Sequence, residues 1–204
     1  MKNNTIIKDA ITLFLITLIA GLALGGVHEL TLEPIAKAQE EAANVTYREV
    51  FPEMASVKET DELDALVESV QAEAANWGYG KVSIDGAMEA LDASGNTLGY
   101  IVNASSKEGY GGTVQISTGI DADGRLTGLG FLSISETPGL GMRAKEPEFR
   151  DQFAGKDATG ELALIKTGGA NEKQIDAISG ASYTSGAVTN ALNAAIHFVN
   201  NYVS

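Results

Sequence analysis

Residues 81–104, KVSIDGAMEALDASGNTLGYIVNA, and residues 113–133, TVQISTGIDADGRLTGLGFLS, use one device twice. In each, two alternating or apolar runs flank a turn of the form Asp-x-x-Gly. The first pair, 81–92 and 97–104, surrounds Asp92-Ala93-Ser94-Gly95-Asn96; the second, 113–120 and 126–133, surrounds Asp121-Ala122-Asp123-Gly124. Period-two patterning bounded by Asp and Gly is the mark of a hairpin. Two successive hairpins predict a four-stranded antiparallel sheet.

Helical spacing lies on both sides of that sheet. Residues 34–51 predict a helix, with Pro34 in its first turn and Ile35, Ala38, Ala42, Val45 and Val50/Phe51 along one face. Residues 60–76 predict another, with Leu63, Leu66, Val67 and Val70 as apolar positions and Thr60 as its cap. A short helix is expected at 146–153, a brief strand at 162–166 and a last helix at 184–202. In that helix Val188, Leu192, Ala195/Ile196 and Val199 form one buried stripe. The fold class is α+β: an antiparallel sheet of two hairpins packed by helices. Trp77 and Tyr79 read as packing residues.

At the N-terminus, residues 10–27, AITLFLITLIAGLALGGV, carry no charge for 18 residues. As a helix they span about 27 Å, close to the ~30 Å hydrocarbon core of a bilayer. A cleaved signal peptide ending near Ala23-Leu24-Gly25 is the competing reading, but the run is longer than a usual signal core. One retained transmembrane helix is therefore expected ahead of the sheet. Lys2 and Lys8 before it, and Glu29, Glu33, Glu40 and Glu41 after it, place the N-terminus in the cytoplasm and the rest outside. The expected layout is a cytoplasmic segment 1–9, a span 10–27, a helical linker region 28–76 and a domain at 77–204.

Composition narrows the chemistry. The chain has 204 residues, 44% of them hydrophobic, enough for a packed core. Its formal net charge of -13 opposes nucleic-acid binding, which needs Lys and Arg against phosphate. From residue 28 on, 12 lysines and arginines face 26 aspartates and glutamates, the balance of a solvated domain. There is no cysteine, which removes disulfides, thiolate nucleophiles and iron–sulfur ligation. Only His28 and His197 exist, so a multi-histidine metal site is not expected.

Three loops stand out. KEGYGGT (107–113) joins the hairpins, SETPGLGMRAKEPEF (135–149) follows them, and DAISGASYTSGAV (176–188) feeds the last helix. The third packs Ser179, Ser182, Thr184 and Ser185 around Gly180 and Gly186. Free N–H groups and the positive end of the helix dipole point at that spot, which suits a phosphate or another anion. Plain capping by hydroxyls is the alternative. A serine hydrolase is not expected: there is no G-x-S-x-G, and no serine has a lysine three residues on.

Asp176-Ala177-Ile178-Ser179-Gly180-Ala181-Ser182-Tyr183-Thr184-Ser185 resembles the D-x-x-[ST]-G-A-[ST]-x-[ST] flavinylation motif of bacterial membrane redox proteins. Glu136-Thr137-Pro138-Gly139-Leu140-Gly141 matches a second loop of that family. With the N-terminal span and the Gly-Tyr-Gly-Gly loop, in this order, nearly the whole chain resembles the G subunits of Rnf complexes, ion-translocating ferredoxin:NAD+ oxidoreductases. The same FMN-binding domain occurs in the C subunit of the sodium-pumping NADH:quinone oxidoreductase.

The resemblance implies FMN, joined through its phosphate to the hydroxyl after Gly180-Ala181, which is Ser182. The family usually has threonine there, and Thr184 is left as the alternative attachment point. Asp176 matches the motif's acidic residue. Glu136, Thr137, Gly139, Leu140 and Gly141 match the loop near the flavin ring, with Lys166 a further neighbour. Tyr110 becomes a ring-stacking partner only if the three loops converge.

The implied function is that of an electron-carrying subunit on the outer face of the membrane. It would work beside other Rnf subunits and be matured by a flavin transferase. A single span without charge is a poor ion path, so ion translocation falls to partners. The rival readings are a cofactor-free anchored binding or assembly domain, and a flavinylated domain of another extracytoplasmic electron-transfer chain.

Overall fold

The computed structural model describes residues 2–203 apart from Thr167 and Ala170, with side chains from Ile6 onward. Met1 and the side chain of Lys2, both part of the cytoplasmic-segment expectation, lie outside the described residues. The chain divides into two units, Met1–Ala43 and Asn44–Ser204.

Helix α1 (Lys2–Val50) supplies the first unit and, from Asn44, the opening segment of the second. Pro34 lies inside it rather than at its start, which corrects the expected boundary at that residue. No turn chemistry separates Val27 from Pro34, so the helix passes through. The apolar part is long and apolar enough to cross a membrane. Its hydroxyls are satisfied within the helix. Thr12 Oγ1 donates to the Lys8 carbonyl at 2.9 Å and Thr17 Oγ1 to that of Leu13 at 3.0 Å.

In the second unit, β1 (Ser56–Lys58) precedes α2 (Asp61–Val70), whose first turn is capped by Thr60 as expected: Leu63 N–H donates to Thr60 Oγ1 at 3.3 Å. The expected helix at 60–76 is broken after Val70, and only a 3-10 turn at Ala74–Asn76 follows. Then come the two hairpins, β2 (Val82–Leu91) with β3 (Thr97–Ser106) and β4 (Val114–Asp121) with β5 (Leu126–Ser133). The sheet is antiparallel throughout in the order β1-β2-β3-β4-β5, one strand more than the hairpins alone predicted.

Both hairpin turns close in the same way. Asp92 Oδ1 accepts from the amides of Ser94 (2.7 Å) and Asn96 (2.9 Å), and Gly95 takes φ +85. Asp121 Oδ1 accepts from Asp123 (3.0 Å) and Arg125 (2.8 Å), and Gly124 takes φ +73. The aspartate satisfies amides that the strands cannot, and the glycine supplies the left-handed residue.

After β5 a 3-10 turn (Gly141–Lys145) leads into the short α3 (Pro147–Arg150), less than the helix expected at 146–153. Strands β6 (Ala163–Ile165) and β7 (Gln174–Asp176) form a separate parallel pair. Helix α4 (Ser182–Phe198) ends in a wider turn, Val199–Val203. It packs on β2, β3 and β4, where Val188, Leu192 and Ala195 join Ile84, Val102, Val114 and Ile116 in the main core. Asn193 stitches α4 to the chain before β6, exchanging both amide bonds with the backbone of Leu162 at 2.9 and 3.0 Å.

A second core of Val50, Phe51, Met88, Ala90 and Ile101 includes the end of α1. Here glycines make the room. A Cβ on Gly119 would lie 2.8 Å from Phe51 Cδ2, and one on Gly128 would lie 3.1 Å from Val50 Cα. Thr127 Oγ1 donates to the Val50 carbonyl and so satisfies the end of α1. Trp77 lies tilted against His197, with ring centroids 4.6 Å apart, and Tyr79 is buried with its hydroxyl donating to Glu161 at 2.9 Å. Burial, reinforced by that carboxylate, pushes the Tyr79 phenol up to about 12.

Candidate cofactor site

The three loops converge. One cavity of about 350 Å³ is lined by Tyr110 from the first, Glu136, Thr137, Leu140 and Gly141 from the second, and Gly180 to Thr184 from the third. Two of these approaches need glycine. A Cβ on Gly111 would run into the Ser135 carbonyl oxygen. One on Gly141 would lie 2.6 Å from Thr184 Oγ1 and 2.7 Å from Glu136 Cβ. Gly139 takes φ +76, so that the amides of Leu140 and Met142 both donate to the Thr137 carbonyl, at 3.1 and 3.2 Å. Leu140 then reaches Gly180, where a Cβ would sit 3.4 Å from its Cδ2.

Glu136 ties two of the loops. It is buried, and its Oε2 accepts from the Gly111 amide at 3.2 Å. Its other oxygen, Oε1, is buried without a partner among the described residues.

At the third loop the hydroxyls separate into different roles. Ala181 occupies the N-cap of α4, and no side chain caps the helix. Capping by the hydroxyl cluster is therefore not what the chain uses it for. Ser185 is buried and structural: its Oγ accepts from the Ile178 amide and donates to the Ala181 carbonyl, both at 3.0 Å. Thr184 is only 1% exposed. Ser182 is exposed, at the first helical residue, where free backbone N–H groups and the helix dipole favour an anion.

Ser182 also borders a second cavity of about 630 Å³, lined by Lys81, Lys107, Glu108, Tyr110, Tyr183 and Asn190 among others. The sequence did not single out these neighbours except Tyr110. Lys107 adjoins the Gly-Tyr-Gly-Gly loop and could have been noticed there. Lys81 reaches the site only through strand pairing, with the Lys107 amide donating to its carbonyl at 2.9 Å.

Not every expected site residue gathers at this place. Asp176 and Ser179 line a different cavity of about 450 Å³ with Arg143 and Gln152. Gln152 holds the Asp176 backbone at both ends, accepting from its amide at 2.8 Å and donating to its carbonyl at 3.3 Å, while Asp176 Oδ1 is buried without a partner among the described residues. Lys166 is exposed just past β6 and lines neither cavity beside Ser182.

These residues fit a flavin nucleotide. A mainly apolar cavity with Leu140 and two tyrosines suits a planar ring, and lysines with free helix amides suit a phosphate beside Ser182. The comparisons agree. Residues 109–197 match the family model of the FMN-binding domain, and residues 1–50 match the RnfG N-terminal region. The chain is 33% identical to the G subunit of the Na+-translocating ferredoxin:NAD+ oxidoreductase complex of Acetobacterium woodii, over 97% of this chain and 93% of that protein. It is 29% identical to the G subunit of the proton-translocating ferredoxin:NAD+ oxidoreductase complex of Clostridium ljungdahlii, over 96% of each. Among solved structures, the C subunit of the Na+-translocating NADH-quinone reductase from Parabacteroides distasonis shares the fold, with a TM-score of 0.50 and 22% identity over 79% of this chain and 84% of that one.

Fold and site thus define an FMN-binding electron-transfer domain behind an apolar N-terminal helix. The chain belongs to the G-subunit family of Rnf-type ion-translocating oxidoreductase complexes.

Proposed function

We propose that this chain carries one FMN covalently on Ser182 and serves as the extracytoplasmic electron carrier of an Rnf complex that moves electrons from ferredoxin to NAD+. The observation that carries the reading is the contrast between two hydroxyls two residues apart. Ser182 is exposed and borders both the apolar cavity and the lysine-lined one, whereas Thr184 borders the apolar one alone and is almost wholly buried. Attachment would form a Ser182 Oγ–P bond and break the phosphoanhydride bond of an activated flavin nucleotide delivered by a flavin transferase, the leaving phosphate carrying away the bonding electrons and the hydroxyl proton.

When bound, FMN supplies the redox chemistry; the chain supplies position. Free amides at the start of α4, with Lys81 and Lys107 nearby, hold the phosphate charge. Leu140 and Thr137, which line the apolar cavity, would border the ring. The flavin-carrying part is residues 77–204. Residues 10–27 anchor it to the membrane with the N-terminus in the cytoplasm, next to the other subunits of the complex.

A peptide map of the purified chain, co-produced with a flavin transferase, tests the site. Ser182→Ala is expected to abolish the flavin-phosphate adduct, and Thr184→Ala to keep it. The reverse pattern would move the bond to Thr184. A bare wild-type segment would leave a cofactor-free binding domain.

A further inference from the structure

Among the described residues of the second unit, four large hydrophobic side chains are left exposed: Val45, Leu140, Tyr110 and Tyr183. The two tyrosines are the most open, at 76% and 73%. Such rings normally bury their faces against something, or mark a surface that something else covers. Neither has an aromatic neighbour among the described residues. Both line the two cavities that meet at Ser182.

Each ring stands on a rigid base. Tyr183 is the second residue of α4, which is buried along most of its length. Tyr110 lies between two glycines that are wedged in place. A Cβ on Gly109 would be 2.8 Å from Glu136 Oε1 and 2.9 Å from Val114 Cγ2, and Gly111 abuts the Ser135 carbonyl. The Gly111 amide is held by Glu136. A buried carboxylate with so few partners is a costly way to pin a loop, and it is understandable if the loop's position matters.

We infer that Tyr110 and Tyr183 form an aromatic clamp on the flavin ring system, with Glu136 as the positioning residue that holds Tyr110 in it. The inference rests on the flavin reading above and adds which side chains grip the ring. An electron-rich phenol against an electron-poor isoalloxazine stacks well. A phenol in van der Waals contact also quenches flavin emission: it gives an electron to the excited ring, and the electron returns as both reach the ground state. Phenylalanine keeps the stacking area but is a far poorer donor.

The test uses the full-length flavin-loaded chain in detergent, with the adduct confirmed by mass. Emission is read in the native state and again after unfolding in guanidinium. Wild-type protein is expected to be severalfold dimmer native than unfolded. The double variant Tyr110→Phe/Tyr183→Phe should raise the native emission severalfold at unchanged adduct mass, and each single variant by about twofold at most, because the remaining phenol still quenches. Glu136→Ala should raise it as Tyr110→Phe does, while Glu136→Gln, whose amide oxygen still accepts from Gly111, should keep the wild-type value. Bright native wild-type protein, or the double variant as dim as wild type, overturns the clamp. Glu136→Gln behaving like Glu136→Ala overturns the positioning role. A wild-type chain without adduct, visible in the mass before any emission is measured, overturns the flavin reading and the clamp together.

Discussion

The hairpin turns and the cofactor loops are both built on glycine, for different reasons. Gly95 and Gly124 are needed for their own backbone, at φ +85 and +73; a Cβ on Gly95 would meet nothing within 4 Å. Gly111 and Gly141 are needed because another loop passes where a side chain would be: the Ser135 carbonyl in one case, Thr184 and Glu136 in the other. One kind of glycine answers to a local dihedral angle, and the other to a distant piece of chain. The first should tolerate substitution at the cost of strain alone, and the second should not.

Gly111→Ala sets the largest effect. Its Cβ meets backbone that cannot swing away, so the loss should be about 2–3 kcal/mol, as for an overpacked core. It should also brighten flavin emission in loaded protein by displacing Tyr110. Chemical denaturation and emission of the same sample check both; a stability loss under about 1 kcal/mol would break the comparison.

Gly95→Ala comes next. Forcing a left-handed backbone on alanine should cost about 1 kcal/mol, with flavin emission unchanged. If this variant perturbs the flavin, the turn is not the local device described here.

The smallest effect concerns a third aspartate turn, at Asp157, which combines local and distant partners. Its carboxylate accepts from the Thr159 hydroxyl (2.6 Å) and amide (2.8 Å) and faces Lys173 Nζ at 3.1 Å. These bonds, chiefly from the Thr159 hydroxyl, hold it down to about 2 from 3.8. A depressed carboxylate stabilises the fold above its unfolded value, and that contribution fades as pH falls from about 4 towards 2. Asp157→Asn should therefore flatten the acid limb of a Tm-against-pH curve while leaving the shape near neutrality unchanged. An identical acid limb in the variant would show that Lys173 and Thr159 contribute nothing there.

Much of the fold was legible because its signals are short-range. The two Asp-x-x-Gly turns named the hairpins nearly to the residue, since aspartate and glycine complete those turns without outside help. Thr60 announced the start of α2 for the same reason. The brief strand expected at 162–166 is β6, whereas β1 and β7 span three residues each and pair with chain outside their own neighbourhood, so no local pattern separates them from loop. Pro34 misled, because a proline suits a helix start but a long helix can run through one.

The site divides along the same line. The order of the glycine-rich loops and the Ser-Gly-Ala-Ser segment points to a flavin nucleotide by itself. Tyr183, Lys81 and the Glu136–Gly111 bond were not readable, because each owes its place to chain far away in sequence. By itself, the sequence determined the hairpins and the apolar N-terminal helix, which rest on neighbours within a few residues, and the family, which rests on the order of short motifs along the chain. Only the tertiary structure decided which hydroxyl stays open, which acidic residue lines which cavity and which rings face Ser182, because packing between distant segments sets exposure.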